Sequence, residues 1–90
     1  MQKYGVLVNF PKIGISNMLL TEEHGKSIYE TTNIQDAEDR ARDQLQMVRK
    51  IFGSGASIGM SGVVPLTGNK SCGPMIKKYR FSDDGRVVEG

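Results

Sequence analysis

The sequence contains few of the residues on which enzyme chemistry most often depends. Its 90 residues include one cysteine, one histidine and no tryptophan. One cysteine cannot form a disulfide within the chain, and one cysteine with one histidine cannot complete a tetrahedral zinc site. A nucleophilic Cys72 would need a base beside its thiol, and nothing in the order of the residues brings His24 to it. The composition therefore predicts a non-catalytic protein with no metal or cofactor.

Long apolar runs and a strong charge imbalance are also missing. No stretch approaches the roughly 20 apolar residues of a membrane-spanning helix, and the apolar run near the N-terminus is shorter than the core of a secretory signal. The net charge of +2 is too small to indicate a nucleic-acid-binding protein by itself. Together with the low cysteine content, these features predict a cytoplasmic protein without membrane contact.

The clearest local pattern is a helix at about 33–52. Apolar residues recur there at spacings of three and four, which places them on one stripe of a helix. The stripe consists of Ile34, Ala37, Ala41, Leu45, Val48 and Phe52. Two residues compete to cap its N-terminus: Thr32, in a capping box with Gln35, and Asn33.

Alternating apolar residues predict strands on both sides of this helix. The first strand ends at Pro11, and Ile15–Thr21 with Ser27–Thr32 form a predicted hairpin. After the helix, the alternation from Met75 to Phe81 predicts a strand with Met75, Lys77, Tyr79 and Phe81 on one face, followed by an Asp84-Gly85 turn and a last strand.

This order of elements predicts the fold class. We expect a single α+β domain over residues 1–90, with a mostly antiparallel sheet of four to five strands and the long amphipathic helix on one face.

A Gly- and Ser-rich segment at about 53–74 separates the helix from the later strands. Loops of this length are rare in compact domains unless they are functional. Part of the segment, GVVPL, predicts a strand, which Pro65 should confine to a sheet edge. Three interpretations remain open: a mobile connector, a docking loop for another protein, and a cradle of backbone amides for a phosphate group.

The docking interpretation assigns the contact with another protein to the middle of this segment. In this interpretation Ile58, Met60 and Val63 are exposed anchors, and methionine suits adaptable interfaces. The predicted contact residues are Gly55, Ile58, Gly59, Met60, Gly62 and Val63.

The phosphate interpretation combines the glycine-rich backbone with a basic strand. Cations interleaved with aromatic rings can hold a nucleotide or single-stranded nucleic acid. The predicted binding residues are Lys70, Lys77, Lys78, Tyr79 and Arg80. The same alternation also fits an ordinary strand whose aromatic side chains face the core, and it favours that explanation.

The ratio of one helix to four or five strands indicates a need for a partner. A helix covers about two or three strands, because helices pack about 10 Å apart and strands about 4.8 Å apart. Several strands carry apolar residues on both faces, so part of the sheet should remain uncovered. The leading hypothesis is a small binding or regulatory protein that contacts other proteins and forms a homodimer, sheet to sheet or edge to edge. Accessory or inhibitory proteins of bacteria and their viruses share this size and this lack of chemistry.

Overall fold

The computed structural model describes residues 2–22, 25–53, 58–68 and 73–90. In these ranges one helix packs on one face of a five-stranded antiparallel sheet with the strand order β2-β1-β5-β6-β7, and β3 and β4 form a separate hairpin. The elements are β1 (Lys3–Phe10), a 3-10 turn (Pro11–Ile13), β2 (Ile15–Leu19), β3 (Thr21–Glu22), β4 (Ser27–Ile28), α1 (Ile34–Phe52), β5 (Met60–Leu66), β6 (Lys77–Phe81) and β7 (Val87–Glu89). The predicted α+β fold is confirmed.

Helix α1 begins after Asn33, whose side chain caps the first turn. The side chain of Asn33 accepts a hydrogen bond from the backbone N–H of Gln35 at 2.9 Å, so Asn33 and not Thr32 is the cap. Gly53 follows the last helical residue with a φ of 66°. No described helix is both long and apolar enough to cross a membrane.

The core lies between α1 and the central strands β1 and β5. Val6 pairs with Val63 at its centre, and Ala37, Ala41 and Leu45 of α1 are fully buried above them. The two alanines let the helix approach the sheet closely, and the buried hydroxyl of Ser61 donates a hydrogen bond to the carbonyl of Ala41 at 2.5 Å. The alternation in β1 and most of the stripe in α1 therefore meet as the sequence predicts, whereas Phe52 at the end of the predicted stripe is 53% exposed.

The prediction that Pro65 confines its strand to a sheet edge is wrong. β5 lies in the middle of the sheet, and Pro65 pairs with Tyr4. Tyr4 directs its own N–H and C=O away from β5 to Thr31, at 2.7 and 3.0 Å, so this pair exchanges no hydrogen bond and the missing N–H of proline is not needed. On the other side, the ladder of β6 begins only opposite Val63.

The predicted hairpin of Ile15–Thr21 with Ser27–Thr32 is only partly correct. β2 pairs with β1 instead, and only Thr21–Glu22 and Ser27–Ile28 pair as β3 and β4. The N–H of Leu20, directly after β2, also donates a hydrogen bond to the carbonyl of Val6 in β1 at 2.8 Å. The last hairpin pairs as predicted, but its turn is longer than the predicted two residues: Asp83, Asp84 and Gly85 lie between Ser82, whose N–H donates at 2.7 Å, and the accepting carbonyl of Arg86.

The prediction that Met75 shares a face with Lys77 is also wrong. Strand β6 begins at Lys77, and the side chain of Met75 lies across the sheet face opposite α1, directly over Gly62. A Cβ at Gly62 would overlap Met75 and the backbone carbonyl of Lys77. The glycine is required because these neighbours occupy the space of a side chain.

Candidate interaction surface

The flank of α1 that faces β6 and β7 is closed by charged side chains lying over aromatic rings. Arg42 lies over the ring of Tyr79, 5.4 Å from its centroid, and Arg49 lies over that of Phe81 at 5.1 Å. Arg49 also donates a hydrogen bond to the carbonyl of Gly85 at 2.8 Å, which ties the last hairpin to the helix. We call this side the closed flank.

An ion-pair network completes the closed flank. The ammonium group of Lys77 lies 3.4 Å from a carboxylate oxygen of Glu38 on α1 and 3.4 Å from one of Glu89 on β7. Hydrogen bonds to Glu38 and Glu89 raise the pKa of Lys77, and burial raises the pKa of Tyr79 beneath. Helix, β6 and β7 therefore hold one another through charge as well as packing.

The opposite flank of α1 borders an apolar groove. The groove has a volume of about 210 Å³ and runs between edge strand β2 and the C-terminal half of the helix. Its lining is formed by Val8, Phe10, Ile15, Met18, Leu19, Leu20, Thr21, Gln44 and Val48. Among the described lining residues, only Thr21 and Gln44 bring polar side chains, so the groove favours an apolar occupant.

Large apolar side chains stand exposed around this groove. Met18 on β2 is 54% exposed, and Met47 and Ile51 on α1 are 51% and 68% exposed. Met47 and Ile51 follow Gln44 by three and seven residues, which places them on the same side of the helix. We call the side of α1 that carries Gln44, Met47 and Ile51 the open flank.

The groove is open because the helix sits over the middle of the sheet. α1 packs mainly on β5, β1 and β6, and one helix is too narrow to cover a fifth strand as well. No described helix or strand covers the groove beside β2. Exposed apolar clusters of this kind mark surfaces that bind other molecules.

The N-terminal half of the same side is polar. A depression of about 290 Å³ is lined by Tyr29, Glu30, Thr31, Asp36, Asp39, Arg40 and Asp43. Arg40 lies over the ring of Tyr29 at 4.6 Å and pairs with Glu22 at 3.4 Å, and burial raises the pKa of Tyr29. No group of histidine, cysteine and carboxylate side chains in the described residues could hold a metal ion.

Part of the sheet face opposite α1 is covered by side chains of the chain itself. Leu66 lies over Gly5 and Met75 over Gly62, and Val64 between them is only 1% exposed. Leu7, Met60 and Val88 are half-buried on this face, next to the exposed Lys78 and Arg80. No described helix packs on it, so the face keeps a small apolar area with a cationic margin.

The structure does not bring the predicted protein-contact residues to one exposed surface. Gly55 lies outside the described residues. Ile58 is exposed, whereas Gly59 packs against the ring of Phe10. Met60, Gly62 and Val63 belong to central strand β5: Met60 is half-buried, Gly62 is buried, and Val63 is fully buried under α1.

The predicted phosphate-binding residues are also divided. Lys70 lies outside the described residues. Tyr79 is 3% exposed and faces the helix, so its ring cannot stack on a base. Lys77 is paired with two carboxylates on that same side. Only Lys78 and Arg80 lie together on the opposite, exposed face of β6.

The open flank was not predicted from the sequence. The sequence does contain a signal for it, because Met47 and Ile51 are large apolar helix residues outside the stripe that predicts the core. An apolar stripe that widens toward the C-terminus of a helix indicates either a second buried contact or an exposed apolar surface.

Searches of protein-family models, curated proteins and solved structures found no match to this chain.

Proposed function

We propose that this chain is a non-catalytic binding protein that acts through protein–protein contacts and forms a homodimer. The observation that carries the proposal is the apolar groove lined by Met18 and Gln44, together with the exposed Met47 and Ile51 on the same side of α1 as Gln44. Met18, Met47 and Ile51 are each more than half exposed, and each would lose contact with water if a second surface packed on them.

The chemistry of the groove suits a protein partner. Its described lining is mainly aliphatic and aromatic, and the side chain of Met18 within it can adapt its shape to a packed surface. A phosphate-bearing ligand has less support, because the ring of Tyr79 is buried and Lys77 is paired with Glu38 and Glu89.

Sedimentation velocity over a range of protein concentrations tests the proposal. We expect the unsubstituted chain to sediment as a dimer at micromolar concentrations and to dissociate on dilution. The substitution Ile51→Glu should shift it to a monomer, because a carboxylate cannot be buried unpaired in an apolar contact.

A matched control separates the groove from apolar surface in general. Ile76 is 47% exposed and lies before β6, away from the groove, so Ile76→Glu should leave the dimer intact. A chain that remains monomeric at every concentration would contradict the proposed homodimer.

A further inference from the structure

The two edges of the sheet are poorly suited to pair with another copy of the chain. Edge strand β2 is irregular: its register with β1 shifts, and Asn17 has a φ of 47°. The other edge, β7, has only three residues. Bulged and very short edge strands are devices that prevent edge-to-edge pairing, so self-association needs another surface.

The sheet face opposite α1 is also a poor match for itself. Its exposed charges on β6 are both positive, Lys78 and Arg80, and the described residues of β5 and β7 place no carboxylate beside them. A two-fold axis through this face would bring like charges toward each other, which is unfavourable in a closing interface.

The open flank, in contrast, is bordered by charges of both signs in a fixed order. Asp43 lies about one turn before Met47, and Lys50 lies about one turn after it. Both side chains are exposed, and neither has an ion-pair partner in the described residues. Opposite charges on either side of an apolar centre make a surface complementary to its own copy when the two helices run antiparallel.

We propose that two copies pair through their open flanks, with the α1 helices antiparallel and the two-fold axis beside Met47. In this arrangement Asp43 of each copy lies beside Lys50 of the other, and Met47 and Ile51 of each copy cover the groove of the other. A parallel arrangement would place Asp43 against Asp43 and Lys50 against Lys50. The inference rests on the proposed homodimer and adds its surface and orientation.

Charge-exchange variants test this geometry. Asp43→Lys alone and Lys50→Asp alone each convert two attractive contacts into two repulsive ones, and each should weaken the homodimer about tenfold. The double variant D43K/K50D restores both pairs with their signs exchanged, so its dissociation constant should return to that of the unsubstituted chain.

Mixing the two single variants provides a result that a folding defect cannot imitate. One variant presents two lysines and the other two aspartates, so an equimolar mixture should form a heterodimer more tightly than either variant forms a homodimer. Sedimentation velocity gives the dissociation constants, and native mass spectrometry identifies the species, since the two variants differ in mass. Far-UV circular dichroism of each variant checks that the fold is retained.

The outcomes separate the two proposals. If the unsubstituted chain is a monomer throughout, the homodimer itself fails and the inference fails with it. If it is a dimer whose dissociation constant the single variants leave unchanged, the homodimer stands and the pairing through open flanks is overturned. Weakened single variants that neither recover in the double variant nor pair in the mixture would also overturn it.

Discussion

Along the closed flank of α1, Arg42 and Arg49 lie over the rings of Tyr79 and Phe81, and Lys77 joins the helix to β7 through two carboxylates. Along the open flank, Met47 and Ile51 are exposed on the same side of the helix as Gln44, which lines a groove that no described element covers. Both flanks belong to one helix of 19 residues. Charged side chains shield the apolar surface on one side, and on the other side the apolar surface remains exposed to solvent.

The difference follows from where the helix lies on the sheet. On the side of β6 and β7, long arginine side chains bridge the distance from the helix to the next strands, and their stems cover the rings beneath. On the side of β2, the helix offers the uncharged Gln44, Met47 and Ile51 instead. Side chains of this kind cannot shield a groove from water, but they can bind a second apolar surface.

The largest expected effect contrasts the centre of α1 with its open flank. Leu45→Ala should lower the free energy of unfolding by about 2–5 kcal/mol, because Leu45 is fully buried and its removal leaves a cavity. Met47→Ala should change it by less than about 0.5 kcal/mol, since Met47 is half exposed. Urea unfolding at a concentration below self-association measures both. Equal losses would mean that Met47 is packed within the single chain.

A smaller effect contrasts two neighbouring cations on opposite flanks. Arg49→Ala should cost about 1–2 kcal/mol, because it removes the hydrogen bond to Gly85 and the cover over Phe81. Lys50→Ala is the matched control, and we expect little change in the monomer because Lys50 is exposed. The same urea assay applies, and an Arg49→Ala variant as stable as Lys50→Ala would show that the closed flank contributes nothing.

The smallest expected effect is a loss of stability in alkaline solution. Burial raises the pKa of Tyr79 and of Tyr29, and hydrogen bonds to Glu38 and Glu89 raise that of Lys77. The folded chain therefore holds more protons than the unfolded chain above about pH 10, so these three groups should leave the free energy of unfolding unchanged near neutral pH and lower it above about pH 10.

Urea unfolding at pH 8 and at pH 11 measures this loss. Tyr79→Phe on the closed flank should reduce the difference between the two pH values, and Tyr29→Phe beside Arg40 should reduce it as well. A stability that is the same at both pH values would contradict the burial of these hydroxyl groups.

The parts of the fold that follow from local patterns were predictable. The stripe of α1 and the alternation of β1 predict the elements that form the core, because burial on one face imposes the spacing of Leu45 and Val6 directly. The central place of β5 was not predictable in this way. The backbone N–H and C=O of Tyr4 bond to Thr31 and not to β5. Pro65, which lies opposite Tyr4, is therefore in a position where no N–H is required.

The candidate surface depends still more on tertiary structure. Met18 and Gln44 line one groove only because β2 pairs with β1 on the side away from β5, and the spacing of residues does not give the pairing order. Met75 illustrates the same limit, since the backbone changes direction before Lys77 and sends the side chain to the other face. The widened apolar stripe of α1 predicts an extra contact but not its location.

Methionine methyl NMR during dilution tests the central claim most directly, because the chain carries reporters on both surfaces. Met18 lines the groove and Met47 is exposed on the open flank, whereas Met60 and Met75 lie on the opposite sheet face. We expect the methyl signals of Met18 and Met47 to shift with concentration while those of Met60 and Met75 stay in place. Shifts confined to Met60 and Met75, or no shift at any concentration, would contradict the claim that the open flank is the contact surface.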